Sequence, residues 1–181
     1  IVEHWTERAE GRRTVVFAAS VEHSREIVAR FSAAGVRAEH LDGTMGAEQR
    51  DAILARLASG ETQIVSNCEV LCEGWDAPAV KCLVLARPTK SLALYLQQAG
   101  RVLRPWQGVS CVILDHAGNA VEHGLPQDPR EWSLEGRPKR TAKRLAAALT
   151  CPGCRAIVPR GTRTCPACDT ALADAEGSGR A

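Results

Sequence analysis

Four cysteines, Cys151, Cys154, Cys165 and Cys168, fall as two C-P-x-C pairs separated by ten residues. Four thiolates at that spacing suit a tetrahedral Zn2+ held structurally, because no coordination position is left for water. A segment this short buries too little surface to fold alone, so metal binding would supply most of its folding free energy. A second group lies in YLQQAGRVLR, residues 95–104, where Gln97, Gly100, Arg101 and Arg104 make a Q-x-x-G-R-x-x-R pattern. Arg101 and Arg104 are three apart, so both guanidinia can project from one helix face. The same pair would also complement the negative carboxyl end of a helix. The third group is SNCEVLCEGWD, residues 66–76, in which Ser66 closes an apolar run and Gly74, Trp75 and Asp76 follow. With Ala77-Pro78 behind it, that stretch also reads as a surface turn.

These residues need a scaffold, and the chain supplies short apolar runs alternating with amphipathic ones. Thr14–Ala18 (TVVFA) reads as a buried strand. Ser20 caps a following helix with Ile27, Val28 and Phe31 on its apolar face, closed by Gly35. Residues 36–41 read as a second strand, 47–57 as a helix with Ile53, Leu54 and Leu57 on one side, and 63–66 as a third strand. Residues 81–86 and 110–115 complete five strands, with a helix over 91–102 between them. That rhythm predicts an α/β fold, a parallel sheet with helices on both faces. In such sheets ligands collect beyond the carboxyl ends of the strands, so Ser20, Gly43, the 66–76 segment and the loop after residue 86 are the expected sites.

Composition narrows the class. The 181 residues are 45% hydrophobic with a net charge of +2, which excludes collagenous and wholly disordered chains. No apolar run approaches the roughly 20 residues that span a bilayer, so no membrane partner is expected. The first residues are charged and lack a signal peptide's apolar region, and the initial Ile predicts a longer parent chain. Residues 1–135 carry 14 Lys/Arg against 18 Asp/Glu, whereas residues 136–168 carry eight Lys/Arg and no acid. A basic segment behind a mildly acidic body points to nucleic-acid contact. Cys68, Cys72, Cys82 and Cys111 are scattered singly and read as small core residues. After about residue 125 the texture turns Pro- and Gly-rich. The expected domains are 1–126 for the sheet, 127–149 for a linker and short basic helix, 150–170 for the four-cysteine module and 171–181 for a disordered tail.

The 66–76 and 95–104 segments, in this order and spacing, resemble the last two motifs of superfamily 2 helicases, the DEAD/DEAH-box group in its broad sense. Upstream, TVVFAASVEHSREIVARF resembles the strand and helix that begin that family's second RecA-like lobe, and HLDGTMGAEQR, with Asp42, Gly43 and Arg50, the stretch between. Downstream, ILDHAGNAVEHGLP is similar to bacterial and phage helicases of the transcription-repair type. The resemblance covers roughly residues 12–126. The four-cysteine module resembles a zinc ribbon. Iron in a rubredoxin-like site is its rival, set against by Arg155 and Asp169 standing where a glycine usually follows each pair.

The resemblance implies an ATP-dependent helicase whose triphosphate sits between two RecA-like lobes. Arg101 and Arg104 match its arginine fingers, planar and permanently charged donors for a developing phosphoryl charge. Gly74, Asp76, Gln97 and Gly100 match nucleotide-binding positions, and Ser20, Gly43 and Ser66 match contacts to the nucleic-acid backbone. ATP and Mg2+ would be held mainly by an N-terminal lobe, since no G-x-x-x-x-G-K-[ST] or D-E-x-[DH] occurs here. The partners implied are DNA, with RNA possible, and that N-terminal lobe; the compartment is cytoplasmic. Two other readings stand beside it: a non-enzymatic nucleic-acid-binding module, and a translocating subunit of a restriction enzyme. The basic four-cysteine module fits salt-sensitive phosphate contact or a purely structural role, and it lacks aromatics for base stacking.

Overall fold

A computed structural model describes residues 1–71, 75–130 and 148–172. Two compact units divide the chain, Ile1–Gly118 and Asn119–Ala181. The first holds β1 (Thr14–Ala18), β2 (Ala38–Leu41), β3 (Ile64–Asn67), β4 (Cys82–Ala86) and β5 (Val112–Asp115), all parallel in the order β2-β3-β1-β4-β5. The strands read as continuous apolar runs because a parallel sheet is covered on both faces. Val16, Ala18, Ile64, Cys82, Val84 and Leu114 face one side and pack with Ile27 and Phe31 of α2 (Val21–Ala33). Their neighbours Val15, Phe17, Val65, Leu83 and Leu85 point the other way and are equally inaccessible.

Local chemistry sets the helix ends. The Ser20 hydroxyl accepts the His23 amide at 3.1 Å to start α2, and Gly35 leaves it in the left-handed region. α3 (Ala47–Ser59) stops at Gly60, φ 89°, and is tied to β2 by Arg56, whose Nε donates to Glu39 at 2.9 Å. That pair, with the Thr62 hydroxyl, holds the Glu39 carboxyl below its ordinary value. α4 (Leu92–Gly100) begins where the Ser91 hydroxyl accepts the Leu94 amide. Among the described residues no helix is long and apolar enough to cross a membrane.

Two short helices escaped the sequence reading, one of them in the second unit. α1 (Val2–Arg8) precedes the sheet and buries Trp5, whose indole donates to Thr14 at 2.7 Å and meets the Phe31 ring edge-on. Its apolar positions are few and its other face is charged, so the helical period was thin.

The second unit, by itself, contains α5 (Asn119–His123), β6 (Ala148–Thr150) and β7 (Ile157–Pro159), the two strands antiparallel. Residues 123–130 form a turn in which Arg130 donates to the carbonyls of His123, Leu125, Pro126 and Asp128. The expected basic helix lies outside the described residues except at Ala148 and Leu149, which are strand instead: they pair with Pro159 and Val158. Of the expected tail, Ala171 bridges to Thr164 and Leu172 joins the small core; residues 173–181 lie outside the described set.

Trp5 joins α1 to the sheet through area, a ring contact and a hydrogen bond. Trp5→Ala is therefore expected to cost about 3–5 kcal/mol, read as a lower urea midpoint with the sheet's circular-dichroism signal as probe. A loss within error of zero would mean α1 is not part of the cooperative unit.

Candidate nucleotide, nucleic-acid and metal sites

Parallel strands send every connection from a carboxyl end back to an amino end. The segment after Asn67 therefore runs back to Lys81 beside the start of β4, and α4 runs back from the end of β4 toward β5. There the two candidate segments meet. The Arg101 guanidinium donates to the Trp75 carbonyl, and the Arg104 guanidinium pairs with the Asp76 carboxylate. Arg104 and Asp76 are about half exposed, so this pair contributes at most about 1 kcal/mol and yields readily to a stronger anion. Gln97 and Gly100 are exposed on the same stretch, and a Cβ added at Gly100 would meet no atom within 4 Å. Gly74 lies outside the described residues. This cluster departs from the expected place: it gathers toward the amino end of β4, because the returning arms carry its residues away from the carboxyl ends.

At the carboxyl ends stands a different arrangement. Ser20 and Gly43 are exposed beyond β1 and β2. Ser66, expected to touch nucleic acid, is fully buried, and its hydroxyl accepts from Ser24 at 2.7 Å. The chain continues through His40, whose Nδ1 lies 2.7 Å from the Ser24 hydroxyl and whose Nε2 lies 2.8 Å from Asp42. Asp42 also accepts the Thr44 hydroxyl at 2.6 Å and the Thr44 amide at 2.8 Å, closing the turn that presents Gly43. The Thr44 hydroxyl, then His40 and the Thr44 amide, hold the Asp42 carboxyl well below its ordinary 3.8. Ser-His-Asp in this order suggests a nucleophile, but the Ser24 hydroxyl is inside the fold with no route to a substrate. It is a relay that fixes β2 to β3 and α2. Nothing in the spacing of Ser24, His40 and Ser66 announced it, because the three come from three elements.

In the second unit the two cysteine pairs are built alike. Cys151 N donates to Ala156 O and Arg155 N to Cys151 O; Cys165 N donates to Thr170 O and Asp169 N to Cys165 O, all at 2.8–2.9 Å. Arg155 (φ 62°) and Asp169 (φ 56°) both take the left-handed conformation that glycine usually supplies there. Gly153 permits the knuckles to approach, since a Cβ would lie 2.5 Å from the Thr170 hydroxyl. The sulfurs of Cys151 and Cys168, and of Cys154 and Cys165, are 3.6 Å apart, and all four fall within 4.8 Å of one another. A tetrahedron of thiolates at 2.3 Å from a metal has edges of about 3.8 Å, so the cluster fits a zinc ion. The Thr170 hydroxyl and amide draw Cys168 down to about 6. Cys154, despite the Ala156 amide, is pushed up to about 12 by the neighbouring thiols and burial.

Residues 1–105 match the family described as "Helicase conserved C-terminal domain". A 51.5 kDa protein of a Lactococcus phage is 32% identical over 171 residues, covering 93% of this chain and 38% of its own length. A putative mitochondrial ATP-dependent helicase of Schizosaccharomyces pombe, irc3, is 36% identical over 127 residues, 69% of this chain and 21% of its own. The ATP-dependent Type ISP restriction-modification enzyme LlaBIII, solved bound to DNA, superposes with a TM-score of 0.52 at 27% identity, covering 59% of this chain and 8% of that one. The chain thus spans well under half the length of these relatives.

Metal analysis is expected to find about one zinc per chain, with Cys151→Ser or Cys168→Ser abolishing it and unfolding the second unit alone. The Asp42 contacts carry a pH signature. A depressed native value contributes stability that is complete above the ordinary 3.8 and lost as pH falls through the native one. Between about pH 5 and pH 2 the wild-type lobe should therefore lose more stability than Asp42→Asn, as measured by urea unfolding across that range; equal slopes would remove Asp42 from the account.

Proposed function

Because this chain belongs to the family of helicase conserved C-terminal domains, we propose that it is the second RecA-like lobe of an ATP-dependent helicase or translocase, acting on DNA in preference to RNA. The observation that carries the reading is the meeting of Arg101 and Arg104 with the Trp75–Asp76 turn, two segments far apart in the chain. In this reading Arg104 leaves the weak, solvent-screened Asp76 pair for the triphosphate held by an N-terminal lobe. Arg101 stays bound to backbone and offers a pre-oriented charge beside it. Asp76, once released, is available to the nucleotide's hydroxyls, and Gln97 with the open space at Gly100 admits the phosphates closely.

Ser20 and Gly43 serve the nucleic-acid backbone at the opposite end of the sheet, with Ser66 supporting that end from inside. A lobe built this way meets its two ligands at two ends, so a shift driven at one can be transmitted through the rigid sheet to the other. Zn2+ on the four cysteines acts as a structural clip, and the basic residues around it add phosphate contacts. DNA is favoured because LlaBIII, 27% identical, is described as bound to DNA. The same likeness favours a second reading, a translocating segment of a restriction enzyme; an attached nuclease domain would separate the two. A cytoplasmic location in a bacterial or phage-infected cell belongs to this proposal.

The chain alone is expected to hydrolyse ATP negligibly. Joined to an N-terminal lobe carrying the phosphate loop, it should turn over, and Arg104→Ala should lower kcat by about a thousandfold or more with KM for ATP little changed. Vigorous ATPase from the isolated chain would overturn the proposal.

A further inference from the structure

Lys81 carries a charge the chain hides almost completely, with 2% of its surface exposed. Its backbone is pinned between two strands: its amide donates to Arg13 O at 3.1 Å, and its carbonyl accepts the Val112 amide at 2.8 Å. From that fixed base the ammonium donates to the Arg104 carbonyl and, at 3.4 Å, to the Val102 carbonyl. Among the described residues no carboxylate pairs with it. Burying an ammonium is costly, and the carbonyl dipoles just past the end of α4 offset that cost. Stability alone does not call for lysine here, since an apolar side chain of the same length avoids the desolvation. What lysine adds is direction. The amides of Arg101, Val102 and Leu103 still bond back to Gln98 and Ala99, but beyond Leu103 the helical bonding ends, and Pro105 brings no amide to help hold the backbone there.

We propose that Lys81 is a positioning residue for Arg104: it anchors the backbone from which that guanidinium projects and so sets where its charge can reach. This rests on the arginine reading of the proposed function. Lys81 touches no ligand in this account and acts only through Arg104. Misplacing a charge by about 1 Å can cost about a hundredfold in rate, so the effect should appear in kcat.

The test uses the chain joined to its N-terminal lobe, with steady-state ATPase measured for Lys81→Met, Arg104→Ala and the double variant. Lys81→Met is expected to lower kcat by about 10- to 100-fold with KM for ATP within about threefold. The double variant should be no slower than Arg104→Ala, because nothing remains for Lys81 to position. A purely structural lysine would instead slow both backgrounds by the same factor, and that result overturns the proposal. So does a normal kcat in Lys81→Met beside a slow Arg104→Ala. A normal kcat in Arg104→Ala overturns the arginine reading and the Lys81 role with it. Should Lys81→Met not fold, Lys81→Arg keeps the donors but lengthens the reach. It is expected to lose kcat only when Arg104 is present, and wild-type kcat there, or an equal loss in both backgrounds, counts against the proposal.

Discussion

Parallel pairing is the constraint from which the rest of the first unit follows. Adjacent strands running the same way cannot be joined by a turn, so every connection must cross back along the sheet. Residues just past a strand stay at its carboxyl end, as Ser20 and Gly43 do, whereas residues late in a connection arrive at the amino end. Asp76 is late in the connection from β3 to β4, and Arg101 and Arg104 are late in that from β4 to β5. Their meeting is the geometric result of two crossovers ending beside neighbouring strands. A loop at the carboxyl end could not have brought them together.

The two ends of the sheet are held by different chemistry. At the carboxyl end the Ser66-Ser24-His40-Asp42 relay is buried at Ser66, Ser24 and Asp42 and half-buried at His40, and its contacts are short, between 2.7 and 2.8 Å. Such a network has no cheaper alternative once desolvated, so it keeps a single geometry. At the amino end the Arg104–Asp76 pair is exposed, and its loss is nearly free. Rigidity and availability are thus distributed by burial. The Gly43 turn is locked from beneath, while the Arg104 guanidinium is left in water.

Much of this was legible in the sequence, for identifiable reasons. The strands could be read because both faces of a parallel sheet are covered, which forces uninterrupted apolar runs such as Val15-Val16-Phe17. The cysteine cluster could be read because its ligands lie close in the chain. What escaped depends on contacts between distant segments. Ser66 resembles a surface hydroxyl until Ser24 is seen 42 residues away covering it. The arginines matched a motif, but the motif carries no information on which end of the sheet they reach. α1 escaped because Trp5 alone supplies its large apolar side chain, so its helical period had one strong point to rest on.

The zinc-type module shows how a local pattern can hold while a residue rule bends. Each knuckle needs a left-handed residue after its second cysteine, and glycine costs least there. Arg155 and Asp169 take that conformation instead, each with its amide bonded back to the first cysteine's carbonyl. For Asp the penalty is modest, because its short polar side chain tolerates the region; for Arg it is roughly 1 kcal/mol or more. The apolar core of Cys151, Val158, Cys165 and Leu172 is too small to absorb such strain together with the ordering of the chain. A metal bond set of about 10–16 kcal/mol can absorb both. The four sulfurs, within 4.8 Å of one another, could hold a metal ion, whose bonds would supply what this core does not.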